Sequence, residues 1–145
     1  MARGLVIAAA ACGSSRPRQL AYGSEVCAHC HMTLADPQFS AELLLRTGKA
    51  IPFDDAGCLA AFVAGSGTPE AEPVSLWVSA FVPPHSLLDA GMAVFLRSDA
   101  IRTPMDYHFV ALRPGREADS VRASLGGELL SWEAVVRAVR RRPGP

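Results

Sequence analysis

Six consecutive residues, Cys27-Ala28-His29-Cys30-His31-Met32, constrain this chain more than any other stretch. They hold two thiols, two imidazoles and a thioether, all donors to soft or borderline metals. The rest of the chain must deliver that site, fold around it or supply a further ligand. If Cys30 begins an extended segment, Met32 falls on the same face, because side chains alternate with period two. Cys27 closes onto them through a turn. The candidate ligands are therefore Cys27, Cys30 and Met32.

Thiolate and thioether sulfur are soft, and soft donors favour Cu(I). Zinc accepts Cys and His but has little use for a Met sulfur. A thioether binds without losing a proton, whereas a Cys must lose one. Met32 thus moves the motif from zinc towards copper. Three other readings compete. A C-x-x-C redox pair normally opens a helix in a βαβ pattern, and here a Pro-containing, non-helical segment follows. A structural zinc site could use Cys27, Cys30, Cys58 and a His, but no second C-x-x-C exists. A plain Cys27–Cys30 disulfide fits an oxidising compartment.

The N-terminus bears on that compartment. Arg3 precedes an apolar run from Leu5 to Ala11, and Cys12 follows directly before Gly13-Ser14-Ser15. This is the layout of a short signal peptide over residues 1–11 with a lipoprotein-type cysteine after it; an ordinary cleavage site is the simpler alternative. Seven apolar residues are too few to span a bilayer, which takes about 20. The expectation is an exported chain, lipidated at Cys12 and so attached to a membrane. Residues 12–21 form a flexible tether, residues 22–140 the folded domain, and residues 141–145 a disordered tail.

A length of 145 residues, half of them apolar, suits one domain with its own core. The 14 basic and 14 acidic residues cancel. No basic stripe marks a nucleic-acid surface, and the Arg140-Arg141-Arg142 run reads as a solvated helix end. No Ser-His-Asp order, phosphate loop or carboxylate pair stands out as catalytic, so an enzyme is not expected. Self-association into a homodimer is compatible with the sequence.

Phe39, Ala41, Leu43 and Leu45 alternate with polar residues and predict a strand with one buried face. Thr47-Gly48-Lys49 turns the chain and Ala50 to Phe53 returns it, with Pro52 placing the second strand at an edge. Asp54-Asp55 caps a helix whose apolar face holds Cys58, Leu59, Phe62 and Val63, ended by Gly65. Cys58 reads first as a small buried hydrophobe and second as a ligand. Leu76 to Val82 and Met92 to Leu96 are strands joined by a short connection, with Trp77, Phe81 and Met92 in the core. Met105 follows Pro104 in a loop before a strand from Tyr107 to Leu112; a Met there is less readily explained as core. His108 reads as a hydrogen-bonded side chain. Glu117 to Leu125 is a helix ended by Gly126-Gly127, and Ser131 caps a last helix with Trp132, Val135, Val136 and Val139 as its stripe. Hairpin-then-helix followed by strands-then-helices suggests an α+β domain of two ββα-like halves packed together.

These residues resemble the NosL family of copper-binding lipoproteins. The similarity lies in Cys27-x-x-Cys30-x-Met32, Asp36-Pro37-x-Phe39, Gly48-Lys49, Phe53-Asp54-Asp55 and Cys58. Trp77-Val78, Asp89-Ala90, Phe95-Leu96-Arg97-Ser98, Thr103-Pro104-Met105 and the run from Gly126 to Trp132 extend it to about residues 22–136. The resemblance implies two related α+β halves and a periplasm-facing lipoprotein. It implies Cu(I) as cargo and a multicopper client with its envelope maturation machinery, with nitrous oxide reductase as that client. It also adds Met105 to Cys27, Cys30 and Met32 as a metal ligand. The chain departs from the family pattern at His29 and His31, which make the motif imidazole-rich. It departs again at Asp106 and His108, which stand where small residues such as Gly are expected. Two other function classes remain in view: a thiol–disulfide oxidoreductase using Cys27 and Cys30, and a zinc-stabilised interaction module.

Overall fold

The computed structural model describes residues 16–65 and 73–142. The signal-peptide region and Cys12 lie outside the described residues. Elements run in the order β1 (Ala41–Leu45), β2 (Ala50–Phe53), α1 (Ala56–Ala64), β3 (Pro73–Ser79) and β4 (Leu87–Asp89). The second half continues with β5 (Val94–Arg97), β6 (Phe109–Leu112), α2 (Arg116–Leu125), β7 (Glu128–Leu130) and α3 (Trp132–Arg140). The fold is α+β, as the residue pattern implies.

Two antiparallel sheets form, with strand orders β2-β1-β3-β4 and β6-β5-β7. Their common part is the same. The first strand of each half lies in the centre, its hairpin partner flanks one side, and the strand after the helix flanks the other. Each half thus carries the ββα-like pattern and adds a strand after its helix. That added strand is β3 in the first half and β7 in the second, while β4 extends the first sheet beyond β3; β4 and β7 are only three residues long. The stretch containing β4 reads in sequence as a connection. A strand that short carries little periodicity of its own and is set by the partner that pairs with it. Ala80 bridges Ala111, and Phe81 N–H donates to the Ala111 carbonyl at 2.9 Å, which ties the sheets together.

The hairpin β1–β2 forms with Pro52 on the edge strand, where its missing N–H costs no ladder bond. β1 departs from its alternating pattern: all five residues are buried, so both faces are covered. Glu42 is wholly buried, and its Oε1 accepts the Arg18 N–H at 3.2 Å. Tyr22 Oη lies 2.8 Å from Ser40 Oγ. Arg18 also pairs with Glu25, and Leu20 is buried in the core. The end of the expected tether, residues 18–21, is thus packed on the domain. The tail shortens likewise. Arg142 stacks over Tyr107 and donates to the Asp106 carbonyl at 3.1 Å.

The main core joins Leu43, Phe53, Leu59, Val78, Phe95 and Val135, drawn from both sheets, α1 and α3. Phe95 and Trp132 meet with ring centroids 5.6 Å apart. A second cluster of Leu96, Val110, Leu112 and Ala118 lies beneath α2. The second sheet is therefore buried on both faces. Each large apolar side chain so enclosed contributes about 1.5–3 kcal/mol. Met92 is not among them: it is 75% exposed, in the turn between β4 and β5, which corrects its expected place in the core. No helix of the described residues is long and apolar enough to cross a membrane.

Candidate metal centre

Residues 27–32 form a closed knuckle. Cys27 N–H donates to the Met32 carbonyl at 2.9 Å, and His31 N–H donates back to the Cys27 carbonyl at 3.1 Å. An antiparallel bridge between Val26 and Thr33 seals its base. The backbone N–H groups of His29 and Cys30 point at Cys27 Sγ, at 3.4 and 3.5 Å. His31 closes the turn in the left-handed region, at φ 62°. That conformation is uncommon outside glycine, though His is among the residues that adopt it most often. The extended segment expected from Cys30 onward does not form; Cys30 lies within the turn, and Met32 pairs across the knuckle with Cys27.

The knuckle is anchored where β2 meets α1. Ala28 N–H donates to the Pro52 carbonyl at 3.0 Å. Two residues after β2 the chain reaches Asp55, the N-cap of α1, whose Oδ1 accepts the Cys58 N–H at 2.7 Å. Cys58 thus occupies the first turn of α1, where the helix dipole favours negative charge. The corner that holds the knuckle also delivers Cys58. The thiol sulfurs of Cys27, Cys30 and Cys58 lie within 4.8 Å of one another, with no disulfide among them. An ion bonded to three sulfurs at about 2.3 Å in a plane would space them about 4.0 Å apart. That spacing falls inside the 4.8 Å limit.

The thiols are not equivalent. Cys27 is pulled well below the ordinary thiol range, chiefly because the Cys58 thiol donates to it, with backbone N–H groups of Cys30, Asp54 and His29 adding to the effect against burial. Cys58 is pushed up by that same donated proton, then by burial and the Asp55 charge. Burial pushes Cys30 up. One thiolate is therefore prepared in advance, and a metal must displace the remaining protons. Burial also raises Asp54, to about 6, and Asp55. Asp54 Oδ1 is buried with no hydrogen-bond partner among the described residues.

The second half contributes the loop before β6. Met105 N–H donates to Asp55 Oδ2 at 3.2 Å, so one buried carboxylate holds both the Cys58 turn and the Met105 loop. Thr103 Oγ1 accepts the N–H groups of Tyr107 and His108, at 3.0 and 3.2 Å. Asp106 and His108 take φ values of 53° and 63°. Both lie in the left-handed region, a backbone conformation that glycine adopts freely. Tyr107 packs so closely on Gly57 that a Cβ there would lie 2.1 Å from the ring. His108 behaves as the sequence suggests, with Nδ1 2.6 Å from the Ile101 carbonyl.

The structure brings together Cys27, Cys30 and Cys58. It leaves the side chains of Met32 and Met105 on the surface, 59% and 37% exposed. His29 and His31 are exposed as well. Cys58 is wholly buried, as a small hydrophobe would be, yet its thiol faces the other two. Its signal in the sequence is the Asp55 cap three residues ahead, which places it in the first helical turn after an edge strand.

The geometry can be set beside known proteins. The copper chaperone NosL from Shewanella denitrificans superposes with a TM-score of 0.69 over 84% of this chain and 97% of that one, at 18% sequence identity. The chain has the NosL fold. No family model matches it, and no curated protein matches it in sequence. The two halves of this chain share the strand orders β2-β1-β3 and β6-β5-β7. The thiol cluster beside the first half's helix fits metal binding.

Proposed function

We propose that this protein carries Cu(I) at the envelope of its cell and hands it to a multicopper enzyme, with nitrous oxide reductase as the client. The observation that supports this best is the unbridged sulfur triad of Cys27, Cys30 and Cys58, with one thiolate prepared by its neighbours. Cys27 and Cys30 serve as primary ligands. Met32 completes the site from the rim of the knuckle, and Met105 is an exchange ligand brought near by Asp55. Two exposed thioethers, with Cys30 partly exposed and Cys27 and Cys58 buried, suit stepwise transfer, in which acceptor ligands enter as donor ligands leave. Attachment through a lipid on Cys12 would hold the site beside envelope partners.

A thiol–disulfide oxidoreductase fits less well. Its attacking cysteine should be the low-pKa thiol and partly exposed. Here the low-pKa thiol, Cys27, is fully buried, and the half-exposed one, Cys30, is pushed up.

The test is an anaerobic titration of the reduced protein with Cu(I) against a competing chromophoric chelator. Tight 1:1 binding is expected, abolished in Cys27→Ser/Cys30→Ser and weakened in Met32→Ala and Cys58→Ser. Retention of zinc in place of Cu(I), or unchanged Cu(I) binding in the double variant, would refute the reading.

A further inference from the structure

A second site lies on the other side of Tyr107. A cavity of about 530 Å³ opens between the Asp106–Phe109 segment, β5 and the end of α3. Its volume is in the range of small-molecule sites. Arg97, Arg141 and Arg142 line it, together with His108, and Asp106 is the one carboxylate among the lining residues. The negative end of the α3 dipole offsets about half a charge. Three guanidiniums against one carboxylate and half a charge leave the cavity positive.

Little among the described residues neutralises these arginines. Among the described residues, no carboxylate forms an ion pair with Arg141 or Arg142. Arg97 reaches Glu128 at 3.8 Å, and both side chains are more than half exposed, so that pair is weak. Two of the three guanidiniums are held in place by aromatic faces. Arg142 lies 4.8 Å from the Tyr107 ring centroid and Arg97 lies 5.9 Å from that of Phe109. Arg142 also bonds the Asp106 carbonyl. Stacked guanidiniums lose less freedom when they grip a planar oxyanion, which they do through two parallel N–H bonds.

We propose that the cavity walled by Arg97, Tyr107, His108, Arg141 and Arg142 binds a small organic or inorganic anion bearing carboxylate or phosphate groups. The site is independent of the sulfur triad and stands whether or not the chain carries copper. The proposal is tested by calorimetric titration of the whole chain with succinate and, separately, inorganic phosphate, at matched ionic strength. Saturable 1:1 binding of at least one is expected, and the tighter of the two tells a carboxylate ligand from a phosphate. Arg97→Gln/Arg141→Gln should weaken it at least tenfold and Arg122→Gln, outside the cavity, should leave it unchanged. Arg141→Gln by itself, at an exposed residue, should weaken it with the unfolding midpoint unmoved. Absence of saturable binding with both anions, or equal weakening by Arg122→Gln, would overturn the site.

Discussion

Replacing Gly57 by Ala tests the contact that joins the two halves beside the thiols. In an ordinary helix the change is favourable, by about 1 kcal/mol. Here the new Cβ would lie 2.1, 2.3 and 2.4 Å from Cγ, Cδ2 and Cβ of Tyr107. These atoms are the root of the side chain, so the ring cannot swing clear; the backbone of the 103–108 loop must move. Overpacking of this kind costs about 1–3 kcal/mol, and contact with the near end of a side chain places it at the upper limit. The net expectation is a loss of about 2 kcal/mol, read as a lowered urea midpoint at constant slope. In a Tyr107→Gly background the obstructing atoms are gone, and the same substitution should stabilise by up to about 1 kcal/mol. The sign should therefore reverse between backgrounds. A stabilising Gly57→Ala in the wild-type background would show that Tyr107 does not pack on α1 as described.

Two further predictions concern the carboxylates. Asp54 has its pKa raised from 3.8 to about 6 by burial, so the folded state holds a proton that the unfolded chain has already released. Stability should fall as pH rises from about 4 to about 6 and level off above that, by the linkage relation. Asp54→Asn should make that slope shallower and leave the share that the raised Asp55 contributes; an unchanged pH profile of the urea midpoint would sink the assignment. Asp55→Ala removes the cap of α1, worth about 0.5–2 kcal/mol, and leaves the Met105 N–H without its acceptor, at a further 1–3 kcal/mol or so. A total near 3 kcal/mol is expected by chemical denaturation, and a loss below about 1 kcal/mol would show that the carboxylate does not bridge the halves.

Local features followed from residue identity. Asp55 caps α1 and Ser131 caps α3, because a short side-chain acceptor satisfies a free N–H within three residues. Pro52 lies on an edge strand, because Pro cannot donate to a ladder. The stripe of Trp132, Val135 and Val139 faces the core at helical spacing. The three-residue strands β4 and β7 had no such signature. Glu42 gave none either: alternation predicts a polar residue on a wet face, and only the packing of residues 18–22 across that face buries it. Met92 reads as core at the start of a strand, but it falls in a turn and is exposed.

The candidate site divides along the same line. Six adjacent residues carry two of its thiols, so those donors are legible in the sequence alone. The third thiol is a property of the fold. Cys58 lies 28 residues beyond Cys30, and only the Ala28–Pro52 bond and the β2–α1 corner bring it within 4.8 Å of the others. Convergence over that separation depends on pairing and packing between distant segments, and no spacing rule along the chain encodes it.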